Sequence, residues 1–265
     1  MTFAIEQLGD VTRWRMQSVA GRAAHITVSA YIYHGVMIDT GFARAHRPFA
    51  DALSSAAIRG AVVTHWHEDH AGNAAVLVGR GVPILLARKT EAILRTRPEI
   101  PLYRRLVWGR PPALAREVVP FNSDEFECVH TPGHSEDHQV VWFPETRTLF
   151  SGDLWLGIRS RVFHRSEDPY RIVESLRRVA MLEPARMFDA HRGLVTRPAE
   201  SLLARADWLS QTLHEIEQQL AERRETNQIV ESLLGGEELA GIVSRGEYSR
   251  RNLVLAVQRR VGLTA

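Results

Sequence analysis

The run Thr64-His65-Trp66-His67-Glu68-Asp69-His70-Ala71-Gly72-Asn73 constrains this chain more than any other stretch. Four residues of ligand type fall within six positions, between a short apolar strand expected at 61–64 and a helix expected at 71–78. Two histidines at alternate positions can face one point from a turning loop, and Asp69 and His70, near the start of the next helix, can face a second. One histidine alone in such a place is ordinarily a hydrogen-bonded core or surface residue. A cluster framed by a strand and a small-residue helix instead describes a preorganised metal site, because ligands on a flexible chain lose ordering entropy on binding.

Around this loop the pattern is that of a layered α/β domain. Strands are expected at 2–8, 11–17, 25–33 and 36–39, then a helix at 47–57 and a strand at 83–87. Strands alternating with helices imply sheets covered by helices. Residues 88–118 read as an insertion with helical pieces at 89–96 and 102–108, broken by Pro98, Pro101, Pro111 and Pro112. Strands return at 125–130, 139–143 and 148–151, followed by a helix at 169–182 and a strand at 187–190. From about residue 201 the pattern is helical throughout, over 202–224, 228–234, 239–245 and 249–261. Leu202, Ala206, Leu213, Ile216 and Leu220 form a core-facing stripe there. With no repeat and no low-complexity linker, residues 1–200 are expected to form a catalytic domain and 201–265 a helical segment packed on it. A lid that excludes water is the alternative role for that segment.

Three later positions, each where a strand gives way to a loop, extend the ligand set. His134 sits in Thr131-Pro132-Gly133-His134-Ser135, where proline and glycine force a turn. Asp153 closes Phe150-Ser151-Gly152-Asp153, and its carboxylate has two oxygens, enough to bridge two ions. His191 follows the strand at 187–190 and precedes Arg192-Gly193. Strand ends of this kind are where layered α/β folds carry binding residues.

The H-x-H-x-D-H loop, the turn carrying His134, the Gly152-Asp153 pair and the late His191 resemble the metallo-β-lactamase superfamily in order and interval, over residues 20 to about 195. The Asp39-Thr40-Gly41 turn resembles that family's early aspartate, which supports the metal loop without binding metal. The resemblance implies a four-layered αββα sandwich with an α-helical C-terminal segment. It implies that His65, His67 and His134 hold one ion and Asp69, His70 and His191 a second, with Asp153 bridging. Imidazole and carboxylate without thiolate suit two divalent ions, zinc foremost, with iron or manganese also accommodated. Two such ions roughly 3.5–4 Å apart hold a bridging hydroxide as nucleophile. Asp69 and Asp153 are then the expected proton acceptors, and hydrolysis is the natural reaction class.

Departures within the family narrow the substrate. The name-giving lactamases place a cysteine or arginine among these ligands where this chain has His70 and Asp153, which disfavours antibiotic hydrolysis. Acyl-homoserine lactonases carry a tyrosine after the bridging aspartate, where Leu154, Trp155 and Leu156 stand here, and no glutathione-binding stretch follows Asp153. The helical end is loosely similar to that of lactamase-like hydrolases, some of which cleave thioesters and some single-stranded RNA.

Trp66, Tyr103, Trp108 and Trp155 are candidate pocket aromatics for an apolar acyl part, and Arg159 for a charged remainder. His138 is expected to hydrogen-bond near the site without being an eighth ligand, and Glu68 to face solvent. The favoured reading is an ester, thioester or lactone hydrolase acting on a small molecule. A phosphodiesterase or ribonuclease on the same metals is the alternative, and a non-hydrolytic iron-dependent oxidoreductase or ligand-binding protein the third.

Charge argues against nucleic acid as partner, since 33 basic residues nearly balance 31 acidic ones. Lys89 is the only lysine, so the positive charge is almost all arginine. No apolar stretch is long enough to span a membrane. Cys128 is the only cysteine, which fits a reducing compartment and a cytoplasmic location. The sequence leaves the oligomeric state open, a homodimer included.

Overall fold

The computed structural model describes residues 1–23, 25–96 and 99–262; Pro98, read above as a helix breaker, lies outside the described residues. The chain divides into two compact units. The first comprises Met1–His130, Asp137–Asp153 and Arg186–Val195, and the second Thr131–Glu136, Leu154–Ala185 and Thr196–Ala265.

In the first unit the chain runs through β1 (Thr2–Leu8), β2 (Val11–Gln17), α1 (Val19–Ala23), β3 (Val28–Tyr33), β4 (Val36–Ile38), α2 (His46–Ser55) and β5 (Gly60–Val62). It continues through α3 (Ala74–Gly79), β6 (Ile84–Leu85), α4 (Arg88–Thr96), α5 (Leu102–Trp108), β7 (Glu127–His130), β8 (Gln139–Phe143) and β9 (Thr148–Phe150). Next come β10 (Phe163–His164) and α6 (Pro169–Ala180) of the second unit, then β11 (Arg186–Asp189) and β12 (Gly193–Val195) of the first. The second unit closes with α7 (Pro198–Ala221), α8 (Thr226–Leu234), α9 (Leu239–Val243), β13 (Tyr248–Ser249) and α10 (Arg251–Arg260).

Two sheets make the first unit, one in the order β1-β2-β3-β4-β5-β6 and one in the order β12-β11-β9-β8-β7. Tyr31, Tyr33, Ile38, Val141, Phe143 and Phe150 from both sheets share one buried cluster, so the sheets face each other. The aromatic rings meet in mixed geometries: Tyr33 and Phe143 edge to face at 4.8 Å between centroids, and Phe150 and Phe188 stacked at 5.3 Å. On the outer side of the first sheet, Trp14, Met37, Phe49 and Leu77 belong to a second cluster that includes helix residues. Every residue of β8 is buried, and after Gln139 the strand is apolar throughout, without alternation. Gly60 opens β5 because a Cβ there would lie 2.3 Å from the Phe121 ring.

In the second unit, α7 packs against α6 and α10, and the predicted stripe Leu202, Ala206, Leu213, Ile216 and Leu220 is buried along it. Phe163 and His164 of β10 pair antiparallel with Ser249 and Tyr248 of β13. No described helix is long and apolar enough to cross a membrane.

The layered α/β architecture with a helical C-terminal segment is as expected, but boundaries shift for local reasons. The strand expected at 61–64 stops at Val62, and the Thr64 amide instead donates to the Asp39 carboxylate at 2.7 Å. The helix expected from 71 begins at Ala74, because the amides of Gly72 and Asn73 are taken by Gly41 O and Thr40 Oγ1. The tail is not helical throughout: β13 interrupts it, a pairing of two residues that is too short to leave a periodic signal.

Candidate metal centre

Asp39 organises the loop from the end of β4. Its backbone is left-handed at φ 59°, a conformation that aspartate tolerates better than most residues. Its Oδ1 accepts from the Thr64 amide at 2.7 Å and from the Thr64 hydroxyl at 3.0 Å, and its Oδ2 faces His70 Nδ1 at 2.8 Å. The Thr40 hydroxyl donates to His70 O, and the Asn73 side-chain amide donates to Thr40 O and Phe42 O. Gly72 fits where a Cβ would meet Glu68 O, Gly41 O and Phe42 Cα, all at 2.5 Å. Both ends of the loop are thereby fastened to the turn after β4.

Two further residues brace the loop from the side. Asp137 Oδ2 accepts from the Trp66 amide at 2.9 Å and from the Thr90 hydroxyl of α4 at 2.7 Å. Glu68, expected at the surface, is 1% exposed and forms a bidentate pair with Arg104 of α5 at 2.5 and 2.6 Å. The correction has a plain cause: the partner lies on the inserted helix, and sequence order gives no sign that this helix returns to the loop.

Six of the seven expected ligands lie in the first unit, and the structure brings them together. The ligand atoms of His65, His67 and Asp153 lie within 4.8 Å of one another, as do those of Asp69, His70 and His191. His65 Nε2 and His67 Nδ1 face each other at 2.9 Å. Asp153 stands between the groups, with Oδ2 4.0 Å from His65 Nε2 and Oδ1 3.2 Å from His70 Nε2 and 3.1 Å from His191 Nε2. Asp69 Oδ2 approaches His70 Nε2 and His191 Nε2 at 3.9 and 3.8 Å. His138 Nε2 accepts from the Asp153 amide at 3.0 Å, which holds the backbone at Asp153. The seventh, His134, belongs to the second unit, where it is buried and its Nδ1 lies 2.6 Å from Glu167 Oε1.

The donor set fits a cation. His70 presents Nδ1 to Asp39, while its buried Nε2 has no hydrogen-bond partner although Asp153 Oδ1 is 3.2 Å away. Burial opposes charge on His70, yet the carboxylates of Asp153, Asp39 and Asp69 hold its pKa well above the ordinary imidazole value. Burial likewise opposes charge on His191, and Asp153 nonetheless raises it to about 9. Burial also works against the Asp153 carboxylate, but His70 and His191 keep its pKa well below the usual range. Without an ion, protons on the imidazoles offset the clustered carboxylates, and a divalent cation would offset the same charge.

A family description for the metallo-beta-lactamase superfamily matches residues 27–198. The chain belongs to that superfamily. Metallo-beta-lactamase superfamily members are mostly metal-dependent hydrolases. The chain is 33% identical over 176 residues to the "Beta-lactamase-like protein 2 homolog" of Drosophila melanogaster, a match covering 62% of this chain and 56% of that protein. It spans about half the length of the curated relatives it matches. A metallo-beta-lactamase family protein from Thermus thermophilus shares the fold with a TM-score of 0.63 at 18% identity, over 89% of each chain. So does the metallo-beta-lactamase FIM-1 from Pseudomonas aeruginosa, solved in its mono-zinc form, with a TM-score of 0.57 at 18% identity over 80% of this chain and 96% of that one.

The expected pocket residues fare differently. Trp66 is half-buried beside His67, with ring centroids 4.8 Å apart. Trp108 is no pocket wall: it is buried in the core with its ring 5.3 Å from Phe42. Tyr103 is half-buried on α5. In the second unit, Trp155 is half-buried and its indole N–H donates to Ser201 O at 3.0 Å, while Arg159 is exposed. Sequence reasoning missed Asp189, whose Oδ1 accepts from the amides of His191 and Arg192 and so sets the loop that presents His191. An aspartate at a strand's last residue, two before a ligand, is the signal that could have found it.

Proposed function

We propose that this chain is a binuclear metal-dependent hydrolase that cleaves an ester, thioester or lactone of a small molecule. The observation that carries the reading is Asp153, whose two carboxylate oxygens are directed at different histidines of two neighbouring groups. In this reading His65 and His67 hold one ion and Asp69, His70 and His191 the other, with Asp153 shared. The family order assigns the remaining histidine position of the first ion to His134. Zinc is the favoured metal, and iron or manganese suits the same donors. Bound divalent ions supply Lewis acidity and bring the ionisation of water down to near neutral pH.

The protein's own residues do the rest. Asp39 keeps the His70 Nδ1–H engaged, so that Nε2 is the nitrogen presented to the ion. Asp69 or Asp153 would accept the proton that the attacking water gives up. Trp66, beside His67, supports an apolar acyl group. The lone Cys128 favours a reducing, cytoplasmic setting.

The test is metal content together with a panel of acyl thioesters, lactones and bis-p-nitrophenyl phosphate on one preparation. Turnover of an acyl substrate, lost in His67→Ala, supports the reading. Cleavage of the phosphodiester alone overturns the substrate class, and full activity in His67→Ala overturns the mechanism.

A further inference from the structure

Two carboxylates buried in the second unit take no part in the reading above. Glu167 and Glu247 are 8% and 7% exposed, and each engages a histidine. Glu167 Oε1 lies 2.6 Å from His134 Nδ1, and its Oε2 accepts from the His164 amide at 3.3 Å. The Glu167 amide donates back to His164 O at 3.0 Å, and the Asp168 amide donates to Gly133 O, one residue before His134. Glu247 Oε1 in turn lies 3.0 Å from His164 Nε2, and Glu247 O accepts from the Arg165 amide at 2.9 Å. The Asn252 side-chain amide, on α10, closes the arrangement by donating to Phe163 O, Gly246 O and Glu247 O at 2.8 to 3.0 Å.

An ionised carboxylate only accepts hydrogen bonds. Facing Glu167 Oε1 at 2.6 Å, His134 Nδ1 is the ring nitrogen that this contact engages, so a proton there is the tautomer the contact favours and Nε2 is the nitrogen a cation would meet. The turn is also fixed in place, because Gly133 has φ 135° and a Cβ there would lie 2.6 Å from Ile172 at the start of α6. The loop between β10 and α6 that carries Glu167 is held in turn by β13 and α10.

We propose that Glu167 is a positioning residue for His134, setting its tautomer and ring orientation, and that the C-terminal strand and helix act on this ligand through Glu247 and His164. The inference rests on the reading of His134 as a metal ligand. It gives the C-terminal segment a function in metal binding.

The test uses the full chain, stripped of metal and titrated with Zn(II) in competition with a chromophoric chelator, alongside 15N NMR of the histidine rings in the ion-free protein. Glu167→Ala is expected to weaken one of two zinc ions by about 10–100-fold and to convert His134 from a single Nδ1–H tautomer to a mixture. Glu167→Gln, whose amide oxygen still accepts, recovers most of both. Glu247→Ala gives a smaller loss in the same direction. Should Glu167→Ala fail to fold, Glu167→Asp withdraws the carboxylate by one methylene and is expected to fall between alanine and wild type. Wild-type isotherms and an unchanged tautomer in the folded Glu167 variants overturn the inference. A wild-type chain that takes up no zinc overturns the metal reading instead, while the tautomer measurement still judges the contact between Glu167 and His134.

Discussion

Glu68 and Arg104 form a buried bidentate ion pair that fastens the ligand loop to an inserted helix, with both side chains at most 6% exposed. Removing one partner leaves an uncompensated buried charge, and burial already pushes the Glu68 carboxyl up despite Arg104 beside it. Arg104→Ala is expected to cost about 3–5 kcal/mol. Glu68→Gln combined with Arg104→Met should cost clearly less, because no charge is stranded. Urea denaturation of the single and double variants measures this; equal losses would mean that the pair is not buried as described.

Asp39 is expected to act on metal binding without touching the ion. Asp39→Ala leaves the Thr64 amide, the Thr64 hydroxyl and His70 Nδ1 without their acceptor. Zinc affinity should fall by about 10–100-fold, measured by chelator competition. An unchanged affinity would remove Asp39 from the account of the site.

Protonation in the ion-free protein sets a pH dependence with a definite sign. The His191 pKa is raised from 6.5 to about 9, so its contribution to ion-free stability is full below 6.5 and is lost as pH rises through about 9. A metal needs the neutral imidazole, so binding at pH 7 should release protons, and affinity should climb as pH rises through about 9, where His191 gives up its proton. Calorimetry in two buffers of different ionisation enthalpy reads the proton count directly. Zero release at pH 7 would contradict the electrostatics of the cluster.

Gly72 and Gly79 make a controlled comparison. A Cβ at Gly72 meets three backbone atoms at 2.5 Å, none of which can swing aside, whereas one at Gly79 meets nothing within 4 Å. Gly72→Ala should cost about 1–3 kcal/mol or more. Gly79→Ala, at the last turn of α3, should change stability by well under that. Thermal melts of the two variants check the contrast.

Much of the site was legible because its residues are close in sequence or sit at strand ends. The loop 64–73 shows four residues of ligand type at spacings that suit a turn between strand and helix, and Asp153 and His191 follow short strands. What escaped notice depends on long-range partners. The burial of Glu68 follows from Arg104, 36 positions later, and the role of Glu167 from a histidine 33 positions earlier. No local periodicity encodes such pairings. Trp108 looked like a pocket residue because aromatic side chains serve pockets and cores equally well; its place beside Phe42 is decided by how α5 packs. The paired strands β10 and β13 are two residues each, too short for alternation to register.

His191 follows β11, the strand seated between β9 and β12, while His65 leaves the sheet that contains β5. A growing or refolding chain therefore has only one half of the cluster until the second sheet has formed, and non-local pairings of that kind form late. An ion that needs both halves would bind only after that closure. Its affinity would then appear chiefly as a slower escape from the native state, making the loaded protein long-lived even where the empty one is only modestly stable.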